Sequence, residues 1–294
     1  GGSLVEYADW RWIFLVNVPL AVVTVVTALR FVPETLDPHA PRRFDLVGAV
    51  LVALALGGLT YALIEWGSAA APWALGVSAL AAIGYAVDER RSDHPMLPLS
   101  IFADRTFSAA NAVTLVVYAA LGSVLFFLVL QLQTVGGYSP LQAGLATLPI
   151  TICMLLLAAR GGALGARIGP RIPMTVGPLV MALGTLLLLR VGEDVDYLTD
   201  VLPGLTVFGV GLALLVAPLT ATVLAAASDE HAGIASGVNN AVARAGSLLA
   251  VAALPVAVGL SGAEYADPSA FDAAYGAATR VCAALLVLGG ALAW

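Results

Sequence analysis

Long apolar runs recur along the chain, broken by short polar stretches. A helix needs about 20 apolar residues to cross about 30 Å of hydrocarbon, because lipid offers the backbone no hydrogen-bond partner and each segment must satisfy its own. Nine segments approach that length: 12–29, 46–64, 73–87, 107–130, 141–159, 172–189, 201–227, 234–260 and 281–294. The third and the last are short, and the eighth contains Arg244. One such run suits a buried helix in a large soluble core; nine in 294 residues do not. The pattern predicts an all-α fold, a polytopic membrane bundle of about nine transmembrane helices.

Composition agrees: 60% of the residues are apolar and only 11% charged, which argues against a soluble enzyme. The 13 basic residues, all Arg, stand against 19 acidic ones for a net charge of −6, which excludes a basic nucleic-acid-binding surface. Cys153 and Cys282 lie far apart, and the histidines are sparse, at His39, His94 and His231. Neither a disulfide framework nor a metal-ligand cluster follows, and no cofactor is expected. With no His cluster, Ser/His/Asp arrangement or paired intramembrane carboxylates, a membrane enzyme is disfavoured. The chain opens on Gly1-Gly2-Ser3, with no Met or basic leader, and its last apolar run stops short at Trp294. The expectation is a piece of a longer protein, truncated at its N-terminus.

Nine spans put alternate loops on opposite sides, so the arginines test the topology. Arg30, Arg42, Arg43, Arg90, Arg91, Arg105, Arg160, Arg167, Arg171 and Arg244 fall on one side, and only Arg11, Arg190 and Arg280 on the other. The Arg-rich loops 31–44, 88–106 and 160–172 are therefore expected in the cytoplasm. Trp10, Trp12, Trp66 and Trp73 then lie at the outer surface, with Tyr7, Tyr138, Tyr197, Tyr265 and Tyr275 in outer loops and Gln131 and Gln133 at the interface. Pro33, Pro38 and Pro41 stiffen the first inner connector. The longest links, 88–106 and 261–280, are too short for soluble domains.

Polar residues inside apolar spans are the candidates for function. Arg244 lies about ten residues, or about 15 Å, into the eighth span. A guanidinium at a helix centre costs about 2.5–3.5 kcal/mol on insertion scales. Ser236, Asn240, Arg244 and Ser247 share one helical face, which either turns to a polar interior or serves as interhelical glue while Arg244 snorkels. Gly233 and Gly237 form a small-residue pair suited to close packing. Asn111, Thr114, Tyr118 and Gly122 share a face of the fourth span, lining a substrate path or packing on a neighbour. Glu65, beside Trp66, is the acid placed closest to a span interior, for proton exchange or as an interfacial carboxylate. The fifth to eighth spans carry no Asp or Glu in their apolar runs.

The string Trp10-Arg11-Trp12-Ile13-Phe14-Leu15-Val16-Asn17-Val18-Pro19 resembles the segment entering the sixth span of fourteen-span drug:proton antiporters in the major facilitator superfamily. Phe44-Asp45-Leu46-Val47-Gly48 and Ala232-Gly233-Ile234-Ala235-Ser236-Gly237-Val238-Asn239-Asn240 fit the same family. Gly162, Leu164, Gly165, Arg167, Gly169 and Arg171 resemble its cytoplasmic gate motif, in which glycines turn the chain and arginines latch one conformation. Ala166 stands where that motif carries Asp, implying a weakened latch; a plain turn with topology-setting arginines is the other reading.

The resemblance implies that the nine spans are the sixth to fourteenth of a longer transporter. Residues 1–44 would end its N-terminal bundle and connect onward, 45–88 would form an extra hairpin, and 89–294 a C-terminal six-helix bundle. It implies a proton-coupled exporter of hydrophobic or cationic small molecules working by alternating access, in a bacterial cell membrane, with its main proton site in the missing N-terminal spans. Its partners would be the lipid bilayer, the substrate, protons and those spans. A transporter of a defined metabolite and a transport-dead sensor or assembly partner are the rival functions.

Overall fold

The computed structural model describes residues 11–31, 45–91, 99–227 and 231–294, and every regular element among them is a helix. A short turn at Trp12–Leu15 leads into α1 (Asn17–Phe31). There follow α2 (Leu46–Ile64), α3 (Ala71–Arg91), α4 (Arg105–Thr134) and α5 (Pro140–Ile168, interrupted at Thr147). The last four are α6 (Arg171–Leu187), α7 (Leu202–Ala225, entered through a π-turn at Tyr197–Val201), α8 (Ala232–Ala257) and α9 (Pro268–Ala293). Eight of these are long and apolar enough to cross a membrane; α1, at 15 residues, is shorter and buries none of them. The connector with Pro33, Pro38 and Pro41, the Arg42 and Arg43 pair, His39, His94, Tyr7 and Trp10 lie outside the described residues.

Polar caps set the helix starts. Asp45 accepts from the Gly48 N–H at 2.8 Å, Asp104 from the Phe107 N–H at 2.8 Å, and Asp267 from those of Ser269 and Ala270. Ser139 and Gln142 form a reciprocal capping box ahead of Pro140. Two boundaries drawn from apolar content are corrected. α3 continues through its charged end to Arg91, and α9 starts at Pro268 rather than near 281. Most of 261–280 is thus helix, not loop, and Arg280 stands mid-helix in α9. Tyr275, expected in an outer loop, is buried in α9 and donates to the Leu188 carbonyl at 2.8 Å. Gln131, expected at the interface, is fully buried and donates to the Val191 carbonyl and the Asp272 carboxylate. Both bonds tie the far ends of α4, α6 and α9 together.

Helix pairing has an internal symmetry. α4 packs on α8 and α9, α7 packs on α5 and α6, and α6 meets α9. Exchanging α4–α6 with α7–α9 maps this pattern onto itself, as two three-helix repeats of opposite orientation require. Because lipid is as apolar as leucine, association depends on close backbone approach rather than on hiding side chains. The α6–α7 seam shows it. Gly177 and Gly184 face Gly204 and Gly211, each pair seven residues apart on one stripe, and a Cβ on Gly211 would come 2.5 Å from the Gly177 carbonyl oxygen. Some leucines point outward, as at the 81% exposed Leu155, while others such as Leu128, Leu205 and Leu215 fill the core.

α2 and α3 pack mainly on each other, joined where Ser78 donates to the Ala55 carbonyl at 2.7 Å, and α2 also touches α8.

Candidate functional site

Tyr118 of α4, Thr220 of α7 and Ser236, Asn239, Asn240, Arg244 and Ser247 of α8 surround a cavity of about 380 Å³. The α4–α8 crossing positions it. A Cβ on Gly246 would come 2.7 Å from the Leu115 carbonyl oxygen, and one on Gly122 would overlap the Ser247 hydroxyl. Asn239 clamps the two helices, its amide donating to Thr114 Oγ1 at 2.7 Å and Asn111 Oδ1 at 3.2 Å. Thr114 and Asn111 in turn donate to the Ala110 and Phe107 carbonyls of their own helix. Every one of these polar groups sits where unpaired exposure to lipid would be costly, and each is paired.

All four members of the α8 face reach the cavity, and from the α4 face Tyr118 does. Asn111 and Thr114, at 4% and 0% exposed, are instead buried in the α4–α8 interface, and Gly122 is a packing glycine there. Sequence reasoning missed Asn239 and Thr220. Asn239 carried a signal: it lies four residues from both Ala235 and Ala243, which belong to the buried stripe of α8, and a lone amide on such a stripe needs a partner on the facing helix. Thr220 donates to its own Val216 carbonyl at 3.0 Å, and a threonine doing so in an apolar helix announces nothing.

A second cavity, about 850 Å³, lies beyond the other half of α8. Its wall includes Glu65 and Trp66 at the end of α2, Ser68, Phe126 of α4, the stretch of α8 from Leu248 onward, and Tyr265 in the turn before α9. Burial pushes the Tyr265 hydroxyl above its ordinary pKa, so it stays a neutral donor and acceptor. Glu65 is exposed here, at the C-terminal end of α2. It is not the acid most withdrawn from water: because α3 extends past 87, Glu89 is buried at 5% exposure and hydrogen-bonded with Tyr85.

The gate-like residues are mostly helical. Gly162, Leu164, Gly165 and Arg167 form the last turns of α5, and the non-helical link is Gly169-Pro170, with Gly169 at φ +86°. Gly165 permits close packing against Pro218 of α7 rather than a turn. Arg167 and Arg171 are exposed, and the Arg171 guanidinium lies 4.7 Å from the ring centre of Trp294, tying the start of α6 to the end of α9.

Comparison with known proteins places this geometry. The family model described as Major Facilitator Superfamily matches residues 1–251. The chain is 36% identical to the multidrug resistance protein Stp of Mycobacterium tuberculosis, over 86% of this chain and 48% of that protein. It is 31% identical to the tetracenomycin C resistance and export protein of Streptomyces glaucescens, over 87% of this chain and 48% of that protein. With the puromycin resistance protein pur8 of Streptomyces alboniger the identity is 32%, over 100% of this chain and 61% of that protein. The chain thus spans about half to three-fifths of the length of these relatives.

Proposed function

From the premise that this chain belongs to the Major Facilitator Superfamily, we propose that it is the C-terminal part of a proton-coupled exporter of hydrophobic antibiotics or drugs, working by alternating access. The carrying observation is the Arg244 cavity: a mid-helix guanidinium among amide and hydroxyl groups, between helices otherwise fitted to lipid. Such a residue marks a polar path by default, because its cost is tolerated only where water or a ligand meets it. The names of the relatives, which speak of multidrug, tetracenomycin C and puromycin resistance, support the substrate class.

In this reading the ends bearing Arg30, Arg90, Arg91, Arg105, Arg167 and Arg171 face the cytoplasm. The Arg244 cavity lies toward that end, since it is lined by the first half of α8 and the last turns of α7. Residues 45–88 act as an extra hairpin beside a six-helix bundle, and a preceding bundle rocks against it about the cavity. Arg167 and Arg171, with Gly162, Leu164, Gly165 and Gly169, serve as the gate on the cytoplasmic side, latching onto acids of the other bundle in place of the Asp that Ala166 replaces. The carboxylate that exchanges protons belongs to the preceding spans, with Glu65 the candidate within this chain.

The test is efflux by the full-length protein in everted vesicles carrying a pH gradient, with ethidium as probe. Accumulation should require the gradient, collapse with a protonophore, and fall when Asn240→Leu and Ser236→Val are combined. A folded full-length protein that moves no hydrophobic compound would overturn the reading.

A further inference from the structure

The Glu65 cavity has a chemistry of its own. Among the described residues lining it, Glu65 carries the only charge, and none is an Arg or His. Glu65 is also the C-cap residue of α2. A helix C-terminus already carries partial negative charge, so an acid there is unfavourable for the helix and deepens the local negative potential. Three aromatic rings, Trp66, Phe126 and Tyr265, share the wall with it. Rings beside a carboxylate are the combination that receives an ammonium group, through the ring quadrupole and through charge. The remaining wall is apolar, including Leu248, Val251 and Pro255.

We propose that this cavity is a binding site, separate from the Arg244 cavity, for a drug-sized amphiphilic cation, with its amine head at Glu65 among the aromatic rings and its apolar body along α8. About 850 Å³ is within the range of pockets that take a drug-sized molecule; an aminolipid headgroup carries the same chemistry and would leave its tails in the bilayer. The site occupies the face where the α2–α3 hairpin meets α8, so it gives the hairpin a ligand-binding role. Binding here requires no transport, and the two proposals therefore stand or fall separately.

The experiment uses the full-length protein in nanodiscs of phosphatidylcholine and phosphatidylglycerol. The probe is a benzophenone-bearing quaternary ammonium with an eight-carbon chain, photolysed and mapped by mass spectrometry. Labelling should fall on peptides covering 63–68 and 248–265. Glu65→Gln should weaken binding by about tenfold or more, as expected for losing a charge-assisted contact. Trp66→Leu, which keeps the charge, should weaken it as well, and an alkyl sulfonate of the same chain length should not compete. Competition by added phosphatidylethanolamine equal to that by the soluble cation would assign the site to lipid and overturn the proposal. So would labelling indifferent to Glu65→Gln, or equal competition by the sulfonate. Loss of efflux with this labelling intact would refute only the exporter reading.

Discussion

Two helix crossings occupy equivalent places in the repeated fold: α7 on α5, and α4 on α8. Their backbones solve the same problem, and their side chains do not. At the first, Gly161 and Gly165 bring α5 against Ala213 and Pro218, and a Cβ on Gly161 would overlap the Ala213 carbonyl. At the second, Gly122 and Gly246 allow an equally close approach, but Asn239 bridges to Thr114 and Asn111, and the crossing opens into the Arg244 cavity. Glycine packing supplies the symmetry of the bundle, and polar residues on α4 and α8 break it. The departure from symmetry, not the symmetry, locates the candidate site, as expected if function is grafted onto a scaffold.

Overfilling the closely packed crossing should break the comparison most severely. Gly161→Leu forces a side chain into the α7 backbone, and overpacking of this kind costs about 1–3 kcal/mol or more. Thermal scans of the full-length protein in detergent should show a much lower melting point or no folded species. Gly237→Ala, on a part of α8 where a methyl meets nothing within 4 Å, should leave stability unchanged or raise it by up to about 1 kcal/mol. Equal damage at both positions would remove the distinction between a closed crossing and an open one.

Function should respond in the opposite order. Arg244→Ala is expected to cut efflux by tenfold or more at equal surface expression, whereas stability should hold because the side chain is exposed to the cavity. Arg244→Lys keeps the charge and loses the planar fork, so recovery in the lysine variant would identify point charge as the requirement. Transport at the parental rate in Arg244→Ala would mean that the guanidinium merely snorkels.

The Asn239 clamp sharpens the comparison by a smaller amount. Interhelical hydrogen bonds in membrane proteins average about 0.6 kcal/mol, with a maximum near 1.7. Asn239→Ala should destabilise by that order, and a double-mutant cycle with Thr114→Val should recover the coupling.

The smallest effect expected lies outside both crossings, at Asp267. Hydrogen bonds from the Ser269 hydroxyl and the Ala270 and Ser269 N–H groups hold its carboxyl below the ordinary carboxylate range. A depressed carboxylate contributes stability that is present above its unfolded value, near 3.9, and lost as pH falls through the folded value. Melting points measured from pH 6 down to pH 3 should fall slightly less steeply in Asp267→Asn than in the parent.

Apolar run length made the spans legible, since it reflects a constraint imposed by the bilayer itself. Boundaries at α3 and α9 escaped it because a helix can continue past its apolar stretch: α3 runs on through its charged end to Arg91, and the Asp267-Pro268 cap starts α9 early. The α8 face of Ser236, Asn240, Arg244 and Ser247 was legible from helical spacing alone and reaches one cavity. Asn111 and Thr114 were legible as polar positions but not as interface residues, because their partner, Asn239, lies 128 and 125 residues further along the chain. The Glu65 cavity was invisible for a similar reason: it is assembled from α2, α4, α8 and the turn before α9, which only packing brings together.

The most direct test of the central claim is substrate-dependent accessibility at Asn240. In a full-length protein lacking Cys153 and Cys282, Asn240→Cys would be labelled with a charged thiol reagent applied from the cytoplasmic side of everted vesicles. Labelling should be rapid without substrate and slowed severalfold by a transported compound, while a cysteine at the outward-facing Leu155 should show no substrate effect. A rate at Asn240→Cys that is as low as at Leu155→Cys, or that no transported compound alters, would contradict the assignment of this cavity to the transport path.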